Sequence, residues 1–420
     1  MRISTNMIYD KGVGSMQKQW TSLLHTQQQL STGRRVLTPA DDPIASARAL
    51  EIGQSKGVNS QFMTNTGYAE DRLNLLENKL TGVGDTLQYI REKTVSAGNA
   101  GYSEEDLGYL ATDLRAQFEG LLALSNSQDG SGDYLFSGYR ANEQPFSGGL
   151  AGVDYQGDYG TQTIQVSASR YMPVSLPGTD VFAATRQIDD SLVQASTGSH
   201  VDGSANTGGT TLSGTLAPLA SGAVDMDTLG RRYEITYNAA TGYDVYEYVP
   251  GNPTKVAIAT GLADLSSLGD PASANYIGVD LQMNDASGNP ATPADGDRFE
   301  LFMASNNMFD NLGVLIDAME RPGPSGMAGG AVAFGLTNLD GAIENVLKVR
   351  SQIGSQLTET ESLKSIGSDL DVQYAETVSN LMDVDYVEAI SNLTQQQTYL
   401  QAAQQSFMKV TGLSLFNFLN

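Results

Sequence analysis

Apolar residues recur at helical spacing near both ends of the chain. In the first 30 residues they follow a 3,4 repeat that Gln27 interrupts, at Val13, Met16, Trp20, Leu23 and Leu30. Near the other end a similar repeat has glutamines at positions 397 and 404, and comprises Tyr386, Ile390, Leu393, Leu400 and Phe407. Such spacing places the residues on one stripe of an amphipathic helix. Each end therefore predicts a helix that packs against a partner, with Trp20 in that packing and not stacked on a ligand.

Three inner segments show the same period. They carry Leu73, Leu76, Leu80, Val83, Leu87 and Ile90; Leu107, Leu110, Leu114, Phe118, Leu121 and Leu124; and Leu336, Leu339, Ile343, Val346, Ile353 and Leu357, with Arg350 intruding. A helix of about 30 residues is about 45 Å long at 1.5 Å per residue, so these segments predict a long helical rod. The helices could form a bundle within one ordinary chain, or they could assemble between chains. Glutamines in a seam can set register between partners, which favours assembly.

The middle of the chain has a different pattern. Between Ala141 and Glu300 the helical period disappears, and Tyr233, Ile235 and Tyr237 alternate with polar residues. Asn238 to Gly242 then predicts a five-residue hairpin loop before a second alternating run from Tyr243 to Val249. Residues 163–166 and 298–302 also predict strands, and 198–222, rich in Gly, Ser and Thr, predicts a flexible loop. The predicted fold class is α + β: a coiled-coil rod formed by both termini, with a β-rich domain inserted between them.

Composition excludes several classes of function. The chain has no cysteine and only two histidines, His25 and His200, so thiolate chemistry and a histidine-rich metal site are excluded, and we expect no cofactor. The formal charge is −24, and 19 acidic against 6 basic residues lie between positions 141 and 300, so we expect no nucleic-acid partner. No run approaches the roughly 18–20 apolar residues of a membrane span, and the start does not resemble a cleaved signal peptide. We therefore expect a non-enzymatic protein that does not bind membranes.

Residues 30–47, Leu-Ser-Thr-Gly-Arg-Arg-Val-Leu-Thr-Pro-Ala-Asp-Asp-Pro-Ile-Ala-Ser-Ala, predict a helix end, a turn and a helix start. Gly33 suits the positive φ that follows a helix. Asp42 suits the N-cap, and Pro43 then occupies the first helical position. The signals that end one helix and begin the next would by themselves explain this segment.

The same segment also resembles the signature of the flagellin superfamily, in which a Ser-x-Gly-x-Arg turn precedes an Asp-Asp pair. Within the superfamily it is most similar to the hook-associated members, as are Met1-Arg2-Ile3-Ser4-Thr5 and the run Tyr134-Leu-Phe-Ser-Gly138. Near the other end, Asp383 to Leu393 and Gly412 to Phe416 resemble the superfamily's terminal helix. The resemblance covers about residues 1–180 and 300–420.

The resemblance implies a structural adaptor that joins the flagellar hook to the filament. Its expected domains are a terminal coiled coil (1–40 and 381–420), a helical rod (41–140 and 301–380) and an exposed β-rich domain (141–300), with a separate insert at about 187–298. Its expected partners are a ring of its own copies, the other hook-associated junction protein, filament flagellin and an export chaperone for the C-terminal helix. It is expected outside the cell in the flagellum, exported without a cleaved signal.

The candidate assembly residues are those of the two terminal stripes and four charged residues between the predicted helices. They are Val13, Met16, Trp20, Leu23, Leu30, Arg34, Arg35, Asp41, Asp42, Ile390, Leu393, Leu400 and Phe407. We expect the terminal stripes to be unsatisfied in a lone monomer and the four charges to form salt bridges or simple caps. Two other functions remain open: filament flagellin itself, and a surface adhesin in which Tyr233, 237, 243, 246 and 248 stack on sugars. Ordinary cross-strand pairing of these tyrosines is the simpler interpretation.

Overall fold

The computed structural model describes the chain except residues 1–4, 100, 186–188, 199, 203, 220, 323–328 and 417–420, and it gives no side-chain burial for residues 5, 6, 8, 197, 329 and 410–416. The first four residues of the N-terminal motif thus lie outside the described residues. Two compact units are present, residues 1–66 with 362–420, and residues 67–361. The division falls within two long helices. The three-domain division at residues 40, 140, 300 and 380 stays a prediction.

The first unit is helical throughout. It contains α1 (Thr5–Thr32), the beginning of α2 (Pro43–Ala97), the end of α6 (Gly329–Met382) and α7 (Tyr386–Phe416). Within this unit α2 and α6 are joined by a hydrogen bond of 2.7 Å from Asn59 Nδ2 to the Gly367 carbonyl. Lys56 and Asp371 form an exposed ion pair one turn away, with an N–O distance of 3.6 Å.

In the second unit the rest of α2 and α6 packs with α3 (Glu104–Ser125) and α5 (Met308–Glu320). The α2 stripe from Leu73 to Ile90 is at most 1% exposed, which confirms the prediction of a continuous apolar seam. Arg350, which interrupts the α6 stripe, donates two hydrogen bonds to Glu77 Oε1, at 2.7 and 2.8 Å. Pairing with a carboxylate lets a charged residue occupy a seam position. A capping box between Ser103 and Asp106 begins α3.

The β-rich part of this unit contains eleven described strands. They are β1 (Phe146–Gly149), β2 (Gly152–Tyr155), β3 (Thr163–Ser167), β4 (Arg170–Pro173), β5 (Val193–Thr197), β6 (Thr211–Leu216), β7 (Arg231–Asn238), β8 (Gly242–Tyr248), β9 (Val256–Leu262), β10 (Val279–Asn284) and β11 (Arg298–Met303). A short helix, α4 (Gly178–Phe182), follows β4. One antiparallel sheet has the order β5-β11-β7-β8-β9, and β1-β2, β3-β4 and β6-β10 form separate antiparallel pairs. Helical termini with a central β-rich domain confirm the predicted fold class.

Two local predictions for this domain were wrong. The hairpin loop has three residues and not five, because Asn238 pairs with Gly242 and Gly242 takes a φ of +97°. The Gly/Ser/Thr-rich segment is not all loop, because residues 211–216 form β6. Its partner, β10, lies more than sixty residues away in sequence, so a local composition rule could not anticipate the pairing.

Many aspartates of the β-rich domain close its turns. Asp202, Asp264 and Asp285 each accept a hydrogen bond from the backbone N–H two residues later, at 2.8 to 3.0 Å. Hydrogen bonds from Ser204 lower the pKa of Asp202 to about 2. Part of the negative charge concentrated in this domain therefore has a structural role in turns, in addition to keeping the surface solvated.

Candidate assembly surface of the terminal helices

The two terminal helices lie antiparallel against each other. The Tyr9 and Phe407 rings are 5.0 Å apart near one end of the pair. Gln396 Nε2 donates to Ser22 Oγ at 3.3 Å in the middle, and Gly33 lies against the Tyr386 hydroxyl at the other end. A methyl group on Gly12 would lie 2.8 Å from the Phe407 ring, so the glycine makes room for it. In each contact the two residue numbers sum to nearly the same value, so one register holds along the pair.

The stripe that faces the partner helix differs from the predicted one. The buried and half-buried positions follow a 3,4 repeat that we call the inner stripe: Gly12, Met16, Gln19, Leu23, Thr26 and Leu30 on α1, and Ala389, Leu393, Gln396, Leu400, Ala403 and Phe407 on α7. Leu23 and Leu400 are 9% and 8% exposed, as expected of seam residues. Gln27, Gln397 and Gln404 are exposed, so the predicted polar seam positions were wrong. The interior glutamines are Gln19 and Gln396 instead.

A second group of large apolar side chains on the same two helices is exposed. Trp20 is 53% exposed and Ile390 is 54% exposed, so the prediction that Trp20 packs in the core was wrong for the single chain. Val13 flanks the inner stripe and is half-buried. The exposed group, which we call the outer apolar set, comprises Met7, Tyr9, Trp20, Leu24, Tyr386, Val387, Ile390, Tyr399 and Met408. These side chains keep from 42% (Leu24) to 82% (Val387) of their surface exposed in the single chain.

The chain breaks that end α1 and α6 are tied to each other. Gly33 has a φ of +72°, as predicted for the residue after a helix. Arg35 N donates to the Met382 carbonyl at 2.7 Å, and Val384 N donates to the Gly33 carbonyl at 2.9 Å. Arg34 and Asp383 form an isolated antiparallel bridge through their backbones. Both breaks therefore lie side by side, and we call residues 33–42 together with 382–385 the joint.

The four predicted charged residues all lie at the joint, in different roles. Asp42 caps α2 through the Ala45 N–H at 3.0 Å and pairs with Arg35 at 3.2 Å. Asp41 accepts hydrogen bonds from the backbone of Leu37 and Thr38 and lies 3.1 Å from His25 Nε2.

These contacts perturb the two carboxyl groups. The Thr38 N–H is the main cause of the lowered pKa of Asp41, and the Ala45 N–H is the main cause for Asp42. Both groups stabilise the joint when ionised, so their contribution is present above the ordinary aspartate pKa and is lost as the pH falls through the lowered value. Helix capping and the Arg35 ion pair thus account for Asp42, and backbone hydrogen bonds account for Asp41, all within one chain. The side chain of Arg34 is exposed.

The five tyrosines suggested as a sugar-stacking face are not all on the surface. Tyr233 is 3% exposed and Tyr243 is 7% exposed. Tyr237 and Tyr243 are directly opposite each other on β7 and β8, with ring centroids 4.9 Å apart. The cross-strand interpretation is therefore correct for this pair, and Tyr233 and Tyr243 are too buried to belong to a stacking face. Within the described residues, no group of three or more His, Asp or Glu side chains is arranged to hold a metal ion.

Two protein-family models match the helical regions at the two ends of the chain. The family model of the bacterial flagellin N-terminal helical region matches residues 3–141. The model of the bacterial flagellin C-terminal helical region matches residues 336–419. Together these two regions make up more than half of the 420 residues, and they include α1, the joint and α7. None of the helices that the structure describes is long and apolar enough to cross a membrane.

Full-length relatives and solved structures agree with this match. The flagellar hook-associated protein 3 of Salmonella typhimurium strain LT2 is 29% identical over 419 residues, which is 99% of each chain. The protein of the same name from Escherichia coli K12 is 29% identical over 428 residues, again 99% of each. FlgL of Xanthomonas campestris superimposes with a TM-score of 0.51 at 24% identity, covering 78% of this chain and 99% of its own. Flagellar hook-associated protein-3 of Legionella pneumophila gives 0.51 at 23% identity, with 79% and 98% covered.

Proposed function

This chain belongs to the flagellin superfamily, and on that premise we propose that it is a structural adaptor that joins the flagellar hook to the filament. It acts by assembly and not by catalysis. Its neighbours are copies of itself in a ring, the other hook-associated junction protein on one side and filament flagellin on the other. It works outside the cell, and an export chaperone holds its C-terminal helix before export.

The outer apolar set is the observation that supports assembly most directly. Trp20 and Ile390 expose more than half of their surface, although each costs free energy in water. Neighbouring subunits that covered these side chains would recover that free energy. The relatives aligned over 99% of both lengths are named for association with the hook, which favours the adaptor over filament flagellin.

We further propose that the α1–α7 pair becomes persistent only when the subunit joins the ring. Its inner stripe is thin, because among the described side chains of α1 only Leu23 and Thr26 are buried. On α7 the buried residues within 386–409 are Ala389 and Leu400. Two helices with so little shared apolar surface are marginal in water, and their ordering would accompany binding.

Hydrogen exchange on the purified monomer tests this coupling. We expect amides of residues 9–32 and 386–409 to exchange with little protection, while those of α2 between Leu73 and Ile90 are strongly protected. In assembled junctions the terminal amides should become protected. Strong protection of both terminal helices in the monomer would contradict ordering on incorporation. The protected α2 segment is the internal control, because it shows that the chain is folded.

A deletion strain tests the adaptor function itself. Cells that lack the chain should build hooks but release unassembled flagellin into the medium, and the wild-type chain supplied in trans should restore filaments. If the deletion instead removed flagellin altogether, the chain would be the filament subunit. If filaments formed normally, the adaptor function would be wrong.

A further inference from the structure

Two glutamine side chains lie inside the α1–α7 pair with an unused hydrogen-bond acceptor. The Oε1 atoms of Gln19 and Gln396 are buried and have no hydrogen-bond partner. Gln396 uses its amide nitrogen on Ser22 Oγ, and both glutamines belong to the inner stripe. Each of the two helices thus contributes one buried amide oxygen without a hydrogen-bond partner to the pair.

Buried amides without partners weaken the interface that contains them. A carbonyl oxygen removed from water without a replacement hydrogen bond loses its hydration and gains nothing in return. The two glutamines lie four residues or fewer from Leu23 and Leu400, the most buried leucines of the inner stripe. The part of the pair with the most buried leucines thus also contains the two unpaired amide oxygens.

A polar residue in an otherwise apolar seam is also a means of choosing one partner or register over another. Leucine at either position would extend the apolar repeat through Met16, Leu23 and Leu30, or through Leu393, Leu400 and Phe407. With leucine at both positions, the α1–α7 pair of a single chain would no longer contain these two unpaired amide oxygens. Rearrangement of α1 and α7 when neighbouring subunits arrive would then bring no gain in hydrogen bonding at these two positions.

We propose that Gln19 and Gln396 hold the α1–α7 pair in an unsatisfied state and specify its arrangement in the ring, where their amides acquire partners. This inference rests on the proposed adaptor function. The two glutamines are then positioning residues. They destabilise the α1–α7 pair in the monomer and favour assembly of the ring. A residue that served stability alone would change both in the same direction.

The test is the double variant Gln19→Leu/Gln396→Leu, with Gln17→Leu/Gln397→Leu as the matched control. The control residues lie on the same two helices and are exposed. In the monomer, we expect exchange of residues 9–32 and 386–409 to slow by about tenfold or more in the double variant and to stay unchanged in the control. In the deletion strain, we expect the double variant to restore fewer filaments than the control does. Exchange of the α2 segment 73–90 shows that each variant is folded.

Each outcome decides the matter. Unchanged exchange in the double variant would show that the orphaned atoms do not weaken the pair, and would overturn the inference. Slower exchange with wild-type restoration of filaments would overturn the positioning role. Failure of the wild-type chain to restore filaments would instead refute the adaptor function, and the exchange comparison would still stand on its own.

Discussion

Leu400→Asp is expected to abolish incorporation into the flagellum while leaving the β-rich domain intact. Leu400 is 8% exposed on the inner stripe, and its register places it opposite Gln19 of α1. An aspartate there must either be buried without a partner or force the helices apart. Because the pair is held by few buried side chains, we expect it to separate. The measurement is filament formation in the deletion strain, which should fall to the level of the empty vector.

Two matched variants separate this effect from a general loss of folding. Gln401→Asp adds the same charge one residue later at an exposed position and should restore filaments as the wild-type chain does. Leu23→Asp alters the facing helix and should reproduce the defect. In all three proteins the β-rich domain should stay folded, which normal hydrogen-exchange protection of residues 231–303 would show. Normal filaments with Leu400→Asp would show that the α1–α7 pair is dispensable for assembly.

The long inner helices could be predicted from sequence because their apolar residues have one role. Every position from Leu73 to Ile90 in the predicted stripe is buried, since that stripe is packed inside a single unit. The helix end and helix start at the joint could be predicted equally well, because Gly33, Asp42 and Pro43 are local signals whose geometry needs no distant partner. Local chemistry and an uninterrupted period are therefore sufficient for these elements.

The terminal stripe could not be predicted in the same way, because α1 and α7 carry apolar residues on more than one side. A pattern that takes every apolar residue as inward places Trp20 and Ile390 in the seam, where the structure has Gln19 and Ala389. The sequence contains both sets, and only the partner helix decides which set faces inward. Where a helix carries apolar residues on more than one side, the buried stripe can therefore be assigned only together with the partner helix.

Arg232→Met is expected to destabilise the β-rich domain by about 3–5 kcal/mol, because it leaves the buried carboxylate of Glu300 without its ion-pair partner. Arg232 is 2% exposed on β7 and donates to Glu300 Oε1 of β11 at 2.8 Å. Its other terminal nitrogen lies 3.4 Å from Asp317 of α5, and its guanidinium lies 4.4 Å from the centre of the Tyr248 ring. Urea unfolding followed by exchange of residues 231–303 measures the loss.

The double variant Arg232→Met/Glu300→Leu should recover much of that stability. Asp317 keeps its ion pair with Arg321, so removing Glu300 takes away the carboxylate that Arg232→Met leaves unpaired. Arg140→Met is the control in the same unit: Arg140 and Glu143 form an ion pair in which both side chains are exposed, so its loss should cost at most about 1 kcal/mol. A double variant as unstable as Arg232→Met would mean that the arginine stabilises the domain through its packing on Tyr248. Recovery would show that the buried network is not needed for the stability of the domain, since buried charges stabilise only while all of them are paired.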